Sequence, residues 1–178
     1  MMNDEFKRML KLAGINEATI MYGDNSHYYD KFKELISKFP ELYAGLRQIL
    51  TSPQFRKEFE RVRNDMIGKY SGFYSFRGAD PKEVENAVDI ELEKGKYLEI
   101  ILSLWGKTFI KNLVDNGFKF KYNRYSDSYE WKIPIKYQDR IPFKSLEGYE
   151  ITEYIFPEHD YSDVSDEFDI MAGEYFGV

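Results

Sequence analysis

Residues 80–117 read DPKEVENAVDIELEKGKYLEIILSLWGKTFIKNLVDNG, and the spacing of their apolar side chains decides the fold. Val84, Val88, Leu92, Gly95, Leu98, Leu102, Trp105, Phe109 and Leu113 follow one another at steps of three or four, the period of a single helix face. Asp80-Pro81 supplies a cap and a first-turn proline, Glu83 falls in the first turn, and Asn116-Gly117 supplies the stop. An unbroken helix over about 81–115 would be ~52 Å long at 1.5 Å per residue. A domain of this chain's length is only about 40 Å across. Two outcomes are open: Gly95 breaks the helix into an antiparallel pair, or one end projects and needs a partner for its seam. Glycine costs about 1 kcal/mol in a helix interior, too little to force the break alone.

Upstream, the same period recurs in shorter pieces. Phe6, Met9, Leu10 and Ala13 mark an amphipathic helix over 4–13, stopped by Gly14. Ser26 is placed to cap a helix carrying Tyr28, Phe32, Leu35, Ile36 and Phe39, and Pro40 ends it and opens another through Leu50. Ser52-Pro53 starts a further helix with Phe55, Phe59, Val62 and Met66 on its apolar side. Its other side mixes Arg56, Lys57, Arg61, Arg63 and Lys69 with Glu58, Glu60 and Asp65, which reads as a solvated surface, with a phosphate-binding stripe as the alternative. Residues 70–79, rich in glycine and aromatics, read as a loop.

Downstream of Gly117 the period becomes two. Phe118, Phe120 and Tyr122 alternate with Lys119, Lys121 and Asn123; after Ser126-Asp127-Ser128, Tyr129, Trp131, Ile133 and Ile135 alternate with Glu130, Lys132, Pro134 and Lys136. This predicts a β-hairpin over about 118–136 with an aromatic face and a largely basic one, its second strand at an edge or ending at Pro134. Ile151, Tyr154, Ile155 and Phe156 suggest one more strand, and Val164, Phe168, Met171 and Tyr175 a docking helix with an anionic back. The fold class expected is α+β, mainly α.

Charge divides the chain. The 178 residues hold 25 Lys and Arg against 31 Asp and Glu, and no Lys or Arg follows Lys144. Residues 145–178 carry Glu147, Glu150, Glu153, Glu158, Asp160, Asp163, Asp166, Glu167, Asp169 and Glu174, so the net −6 separates into +4 for residues 1–144 and −10 for the tail. Such separation favours contact with another surface or with the body itself. The organisation expected is a weakly basic body over 1–144 and an acidic, aromatic-containing tail over 145–178.

Catalytic patterns are missing. There is no cysteine, which excludes disulfide and thiolate chemistry. His27 opens a helix and His159 lies between Glu158 and Asp160; neither has a second histidine beside it, and Asp163, Asp166 and Asp169, though on one helical face, lack the alternation and glycine of a calcium loop. No phosphate-binding glycine loop, dinucleotide turn or nucleophile elbow occurs. No cofactor, metal or catalytic residue is assigned. No run of ~18 apolar residues occurs and the N-terminus is charged, so the expectation is an intracellular chain, cytoplasmic where synthesised, without a membrane span.

Two nucleic-acid patterns accompany these. Basic residues and aromatics together suit single strands, and the acidic end with its terminal aromatics looks like the tails of bacterial and phage single-strand-binding proteins. Tyr70-Ser71-Gly72, after a basic amphipathic helix, and Gly117-Phe118-Lys119-Phe120-Lys121, at the exit of the next, resemble landmarks of phage recombination mediators of the UvsY type over about a third of the chain. The hairpin and acidic tail follow where such mediators end, and no functional residue is carried over.

The function expected is therefore a non-catalytic interaction or assembly component, of a virus or phage and with the virion as a second location. Its partners are other protein subunits, copies of itself included, met through Val164, Phe168, Met171 and Tyr175. The alternative is a single-stranded-DNA accessory factor using Arg56, Lys57, Arg61, Arg63, Lys69, Lys119, Lys121 and Lys132. A further alternative is an acidic inhibitor that occupies a basic groove on a host enzyme.

Overall fold

The computed structural model describes residues 4–5, 26–75, 78, 80–160 and 163–178. Asp4 and Glu5 are helical; the remainder of the helix expected over 4–13 lies outside the described residues. In chain order the helices are Ser26–Lys31 (α1), Lys33–Lys38 (α2), Leu46–Leu50 (α3), Pro53–Ser75 (α4), Pro81–Glu91 (α5) and Tyr97–Asp115 (α6). Strands Lys119–Asn123 (β1), Ser128–Lys132 (β2) and Ser145–Glu147 (β3) follow, then helices Gly148–Ile155 (α7) and Asp163–Phe176 (α8). The fold is α+β and mainly α, as the periodicities predict.

The seam of 84–113 is buried throughout, yet neither expected outcome describes it. Asp80 caps α5 by accepting the Glu83 N–H at 3.0 Å, and Pro81 takes the first turn. A π-turn at Leu92–Lys96, irregular at Gly95, then bends the chain. The two halves do not fold back as a pair. Instead α5 lies against α4, while α6 runs through the centre with Leu98, Ile101, Trp105, Phe109, Ile110 and Leu113 buried. A helix apolar on so many sides needs cover all round, and α4, α3, the 3₁₀ turn Pro40–Tyr43 and α8 supply it.

Side chains of α6 fix the first of those neighbours. The Trp105 indole N–H donates to the Ala44 carbonyl at 3.1 Å, and the Asn112 amide to the Leu42 and Ala44 carbonyls at 3.1 and 3.0 Å. Gly45, at φ +88°, makes the turn into α3 beside the Trp105 ring, a conformation that favours glycine. The helix expected across 26–39 is interrupted at Phe32, which is fully buried with Tyr28 and Phe39. The loop expected over 70–79 begins later, because α4 continues to Ser75. Gly68 and Gly72 sit in open space on the helix, and a cost of about 1 kcal/mol each is within what the packing of half-buried Met66, Ile67 and Tyr70 offsets. The Tyr-Ser-Gly triplet at 70–72 is thus helix, not a turn.

The hairpin pairs Phe120 with Trp131 and Tyr122 with Tyr129 on one face, Lys119 with Lys132 and Lys121 with Glu130 on the other. The second strand stops before Pro134, and a 3₁₀ turn at Ile135–Tyr137 turns Ile135 into solvent at 87% exposure, although strand alternation places it with the apolar face. The strand order β1-β2-β3 makes β2 central.

The strand expected at 151–156 is helix α7. Glu147 and Glu150 form a reciprocal cap at its start, the Glu147 N–H donating to Glu150 Oε2 at 3.0 Å, and Ile151 and Ile155 then share the buried face at a helical interval of four. The Tyr43 hydroxyl donates to the Ile155 carbonyl at 2.6 Å near its end. Helix α8 sits against α6 closely enough that a Cβ on Gly106 would overlap Met171. Phe168 joins the layers: its ring lies 6.1 Å from Phe109 of α6, 5.7 Å from Trp131 of β2 and 5.6 Å from Phe156. Residues 145–178 therefore complete the core of the body.

Candidate docking surface

Burying one side of α8 leaves the other for solvent or a partner. Of the four residues read as a partner-binding row, Val164 and Phe168 are fully buried, Met171 is half-buried over Gly106, and Tyr175 is 40% exposed. The apolar side of the docking helix is seated on this chain's own α6 and sheet. The outward side of α7 and α8, with the 158–160 loop, exposes Glu153, Glu158, Asp160, Asp163, Asp166 and Glu174.

These carboxylates differ from those of the body in one respect. In the body, Asp30, Glu34, Glu58, Glu60, Asp65, Asp89, Glu93, Glu99, Asp115 and Asp139 each lie within ion-pair distance of a base. None of the ten acids after Lys144 forms an ion pair among the described residues. The anionic surface is also not purely polar. Tyr149 and Ile170 are 56% and 57% exposed, and each adjoins the point where Gly148 meets Asp169. At that point Asp169 is half-buried, and burial, then the charges of Asp166 and Glu147, push its carboxyl up to about 6.

The residues read as a nucleic-acid surface are not brought together. Arg56 pairs with Glu60, Arg61 with Glu58 and Asp65, and Arg63 with Asp89 across to α5, so the stripe on α4 is largely neutralised. Lys57 and Lys69 are exposed there without an ion pair among the described residues. Lys119, Lys121 and Lys132 are exposed on the outer face of the sheet. The aromatic face is the opposite one, and its rings are occupied: Phe120 stacks on Tyr129 at 4.9 Å and on Phe176 at 5.0 Å, and the Tyr122 hydroxyl donates to Asp127. The alternation that makes a hairpin separates its lysines from its aromatics.

A second polar cluster forms at the π-turn. Glu93 lies 2.9 Å from His27 Nε2 and 3.0 Å from Lys31 Nζ. Burial pushes its carboxyl up, but the Lys31 and His27 hydrogen bonds and charges outweigh this and hold it below the usual value. Tyr28 and Tyr97 stack beneath it at 4.7 Å, and burial raises both phenols. Beside them Lys31, Glu93, Lys94, Pro157, Glu158, His159 and Asp160 line a cleft of about 370 Å³. Its charges are of both signs; His27 is tied to Glu93 outside the lining, and His159 Nε2 is buried without a hydrogen-bond partner among the described residues. Among the described residues no group of three or more His, Asp or Glu side chains is placed to hold a metal ion, and no helix is long and apolar enough to cross a membrane.

Sequence spacing already placed Asp163, Asp166 and Asp169 on one helical face. The contact between Asp169 and Gly148, 21 positions apart, had no sequence signal, and the lack of bases near the tail was visible only as composition. No protein-family model matches the chain, and no curated protein or solved structure is significantly similar to it.

Proposed function

We propose that this protein is a non-catalytic interaction or assembly component that meets its partner through the anionic side of α7 and α8, and that the partner presents a lysine- or arginine-rich protein surface. The observation that carries the reading is the set of ten carboxylates without one ion pair among the described residues, in a chain where about half of the body carboxylates are paired. Unpaired like charges repel one another, and an opposing surface relieves that repulsion while steering the encounter. Tyr149 and Ile170 give the surface an apolar centre, the kind of anchor that holds a complex once charge has aligned it. A basic groove on a nucleic-acid-handling enzyme is one surface of this class, so the inhibitor reading shares the same docking face.

A lysine- and arginine-rich peptide of about twelve residues is a suitable probe, titrated at ~50 mM salt. Neutralising Glu153→Gln, Asp163→Asn, Asp166→Asn and Glu174→Gln together is expected to weaken binding about tenfold. Neutralising Glu34, Glu58, Asp65 and Asp115 of the body in the same way is expected to change it less than about threefold. Equal losses in the two variants would sink the proposal, because binding would then follow net charge rather than the tail surface. A second reading rests on Lys119, Lys121 and Lys132, exposed on one face of the sheet with Glu130 opposite Lys121. It requires single-stranded oligonucleotide binding at ~50 mM salt, where phosphate contacts are strongest.

A further inference from the structure

We propose that the junction between α7 and α8 is a proton-operated latch, in which Asp169, pressed against Gly148, seats α8 more firmly when its carboxyl is protonated than when it is ionised. The latch belongs to the chain's own packing and stands whether or not a partner docks on these helices.

The geometry is specific. Gly148 is the first residue of α7, and a Cβ there would overlap the Asp169 carboxylate, so that carboxylate lies directly on the α7 backbone. Asp169 Oδ1 is buried and has no hydrogen-bond partner among the described residues. A helix start normally welcomes a carboxylate through its free N–H groups. Here that role is taken, because the Glu147 side chain accepts the N–H three residues into α7 and Glu150 accepts the Glu147 N–H.

The charged groups that act on Asp169 are both acids: Asp166 on its own helix and Glu147 at the end of β3. From α6, the uncharged Gly106 and Phe109 meet Met171 and Phe168 of α8, and Lys111 pairs with Asp115 and acts on Tyr175. No cation among the described residues pairs with Asp169. Ionisation therefore leaves a half-buried charge with no counter-ion among the described residues and no donor on its buried Oδ1, whereas protonation removes the charge and gives the group a donor of its own.

The sign follows from where the proton is held. The folded value is about 6, above the unfolded value near 4. Between these values the folded chain holds a proton that the unfolded chain has lost, so the latch weakens as pH rises through that window and is weakest above about 6. Helix α8 carries Phe168, which bridges α6 and the sheet, and Phe176, which stacks on Phe120. Loosening α8 uncovers these rings.

Backbone hydrogen exchange, corrected for intrinsic rates, tests the latch on the full chain at pH 5.0 and 7.5. In the wild type, amides of residues 165–175 are expected to lose about tenfold in protection at the higher pH, less than the full shift allows because solvent reaches the group. Asp169→Asn is expected to abolish the difference, and Asp163→Asn, at an exposed position, to keep it. Equal protection at both pH values in the wild type, or a difference that survives Asp169→Asn, overturns the proposal. Should Asp169→Asn fail to fold, the Asp169 carboxyl carbon can be titrated by NMR in the wild type. A midpoint near 6 supports the latch, and one near 4 overturns it.

Discussion

Trp105 shows how one residue can set a neighbourhood. It is 1% exposed, stacks on Phe109 at 4.6 Å, and spends its single polar group on the Ala44 carbonyl beside the left-handed Gly45. Truncation removes a large buried surface and one of the two donors to the Ala44 carbonyl, the Asn112 amide being the other. Trp105→Ala is expected to destabilise the isolated protein by about 3–5 kcal/mol in urea unfolding. A change below ~1 kcal/mol would mean that this side chain serves an interface rather than the core. Trp105 and its seam were legible in the sequence because burial followed a local period. Gly106 and Gly148 were not, because what makes each glycine necessary is a side chain far along the chain, Met171 in one case and Asp169 in the other.

At the scale of elements, boundaries announced by a cap could be read directly, and those set by a partner could not. Ser52 accepts the Phe55 N–H at 3.2 Å and Asp80 the Glu83 N–H at 3.0 Å, where serine-proline and aspartate-proline pairs predict helix starts. Asp80→Ala is expected to cost about 1 kcal/mol, measured by thermal or urea unfolding, since it strips the first turn of α5 of its acceptor. A loss under a few tenths would place the start of α5 elsewhere. Helix α7 looks like a strand in the sequence because Ile151, Tyr154, Ile155 and Phe156 favour strands in isolation. Its cap uses Glu147 and Glu150 instead of the serine or threonine that usually marks one. The length of α4 is hidden for the opposite reason, since glycines at 68 and 72 suggest a break that the surrounding packing overrides. The Gly95 bend was anticipated, but not that α4 would cover α5 and make a fold-back unnecessary.

Across the whole molecule, composition and structure say different things about the tail. Composition divides a body of +4 from a tail of −10. The structure merges them in one core, with β3 on the sheet and α8 between α6 and β2, and puts the division on the surface instead. The candidate site was half legible for this reason. The helix was found, but its apolar side was read as the side that meets a partner, and intramolecular packing turned that side inward. What remains outward is charge without an ion pair among the described residues. If the anionic side of α7 and α8 answers a basic protein surface, the mass of the full chain recovered from the cells that make it shows it, by size-exclusion chromatography with light scattering at ~50 mM and ~500 mM salt. The expected result is a complex heavier than 21.2 kDa with a basic protein co-eluting at the lower salt, reduced to the single chain at the higher. A lone species of 21.2 kDa at both would contradict it.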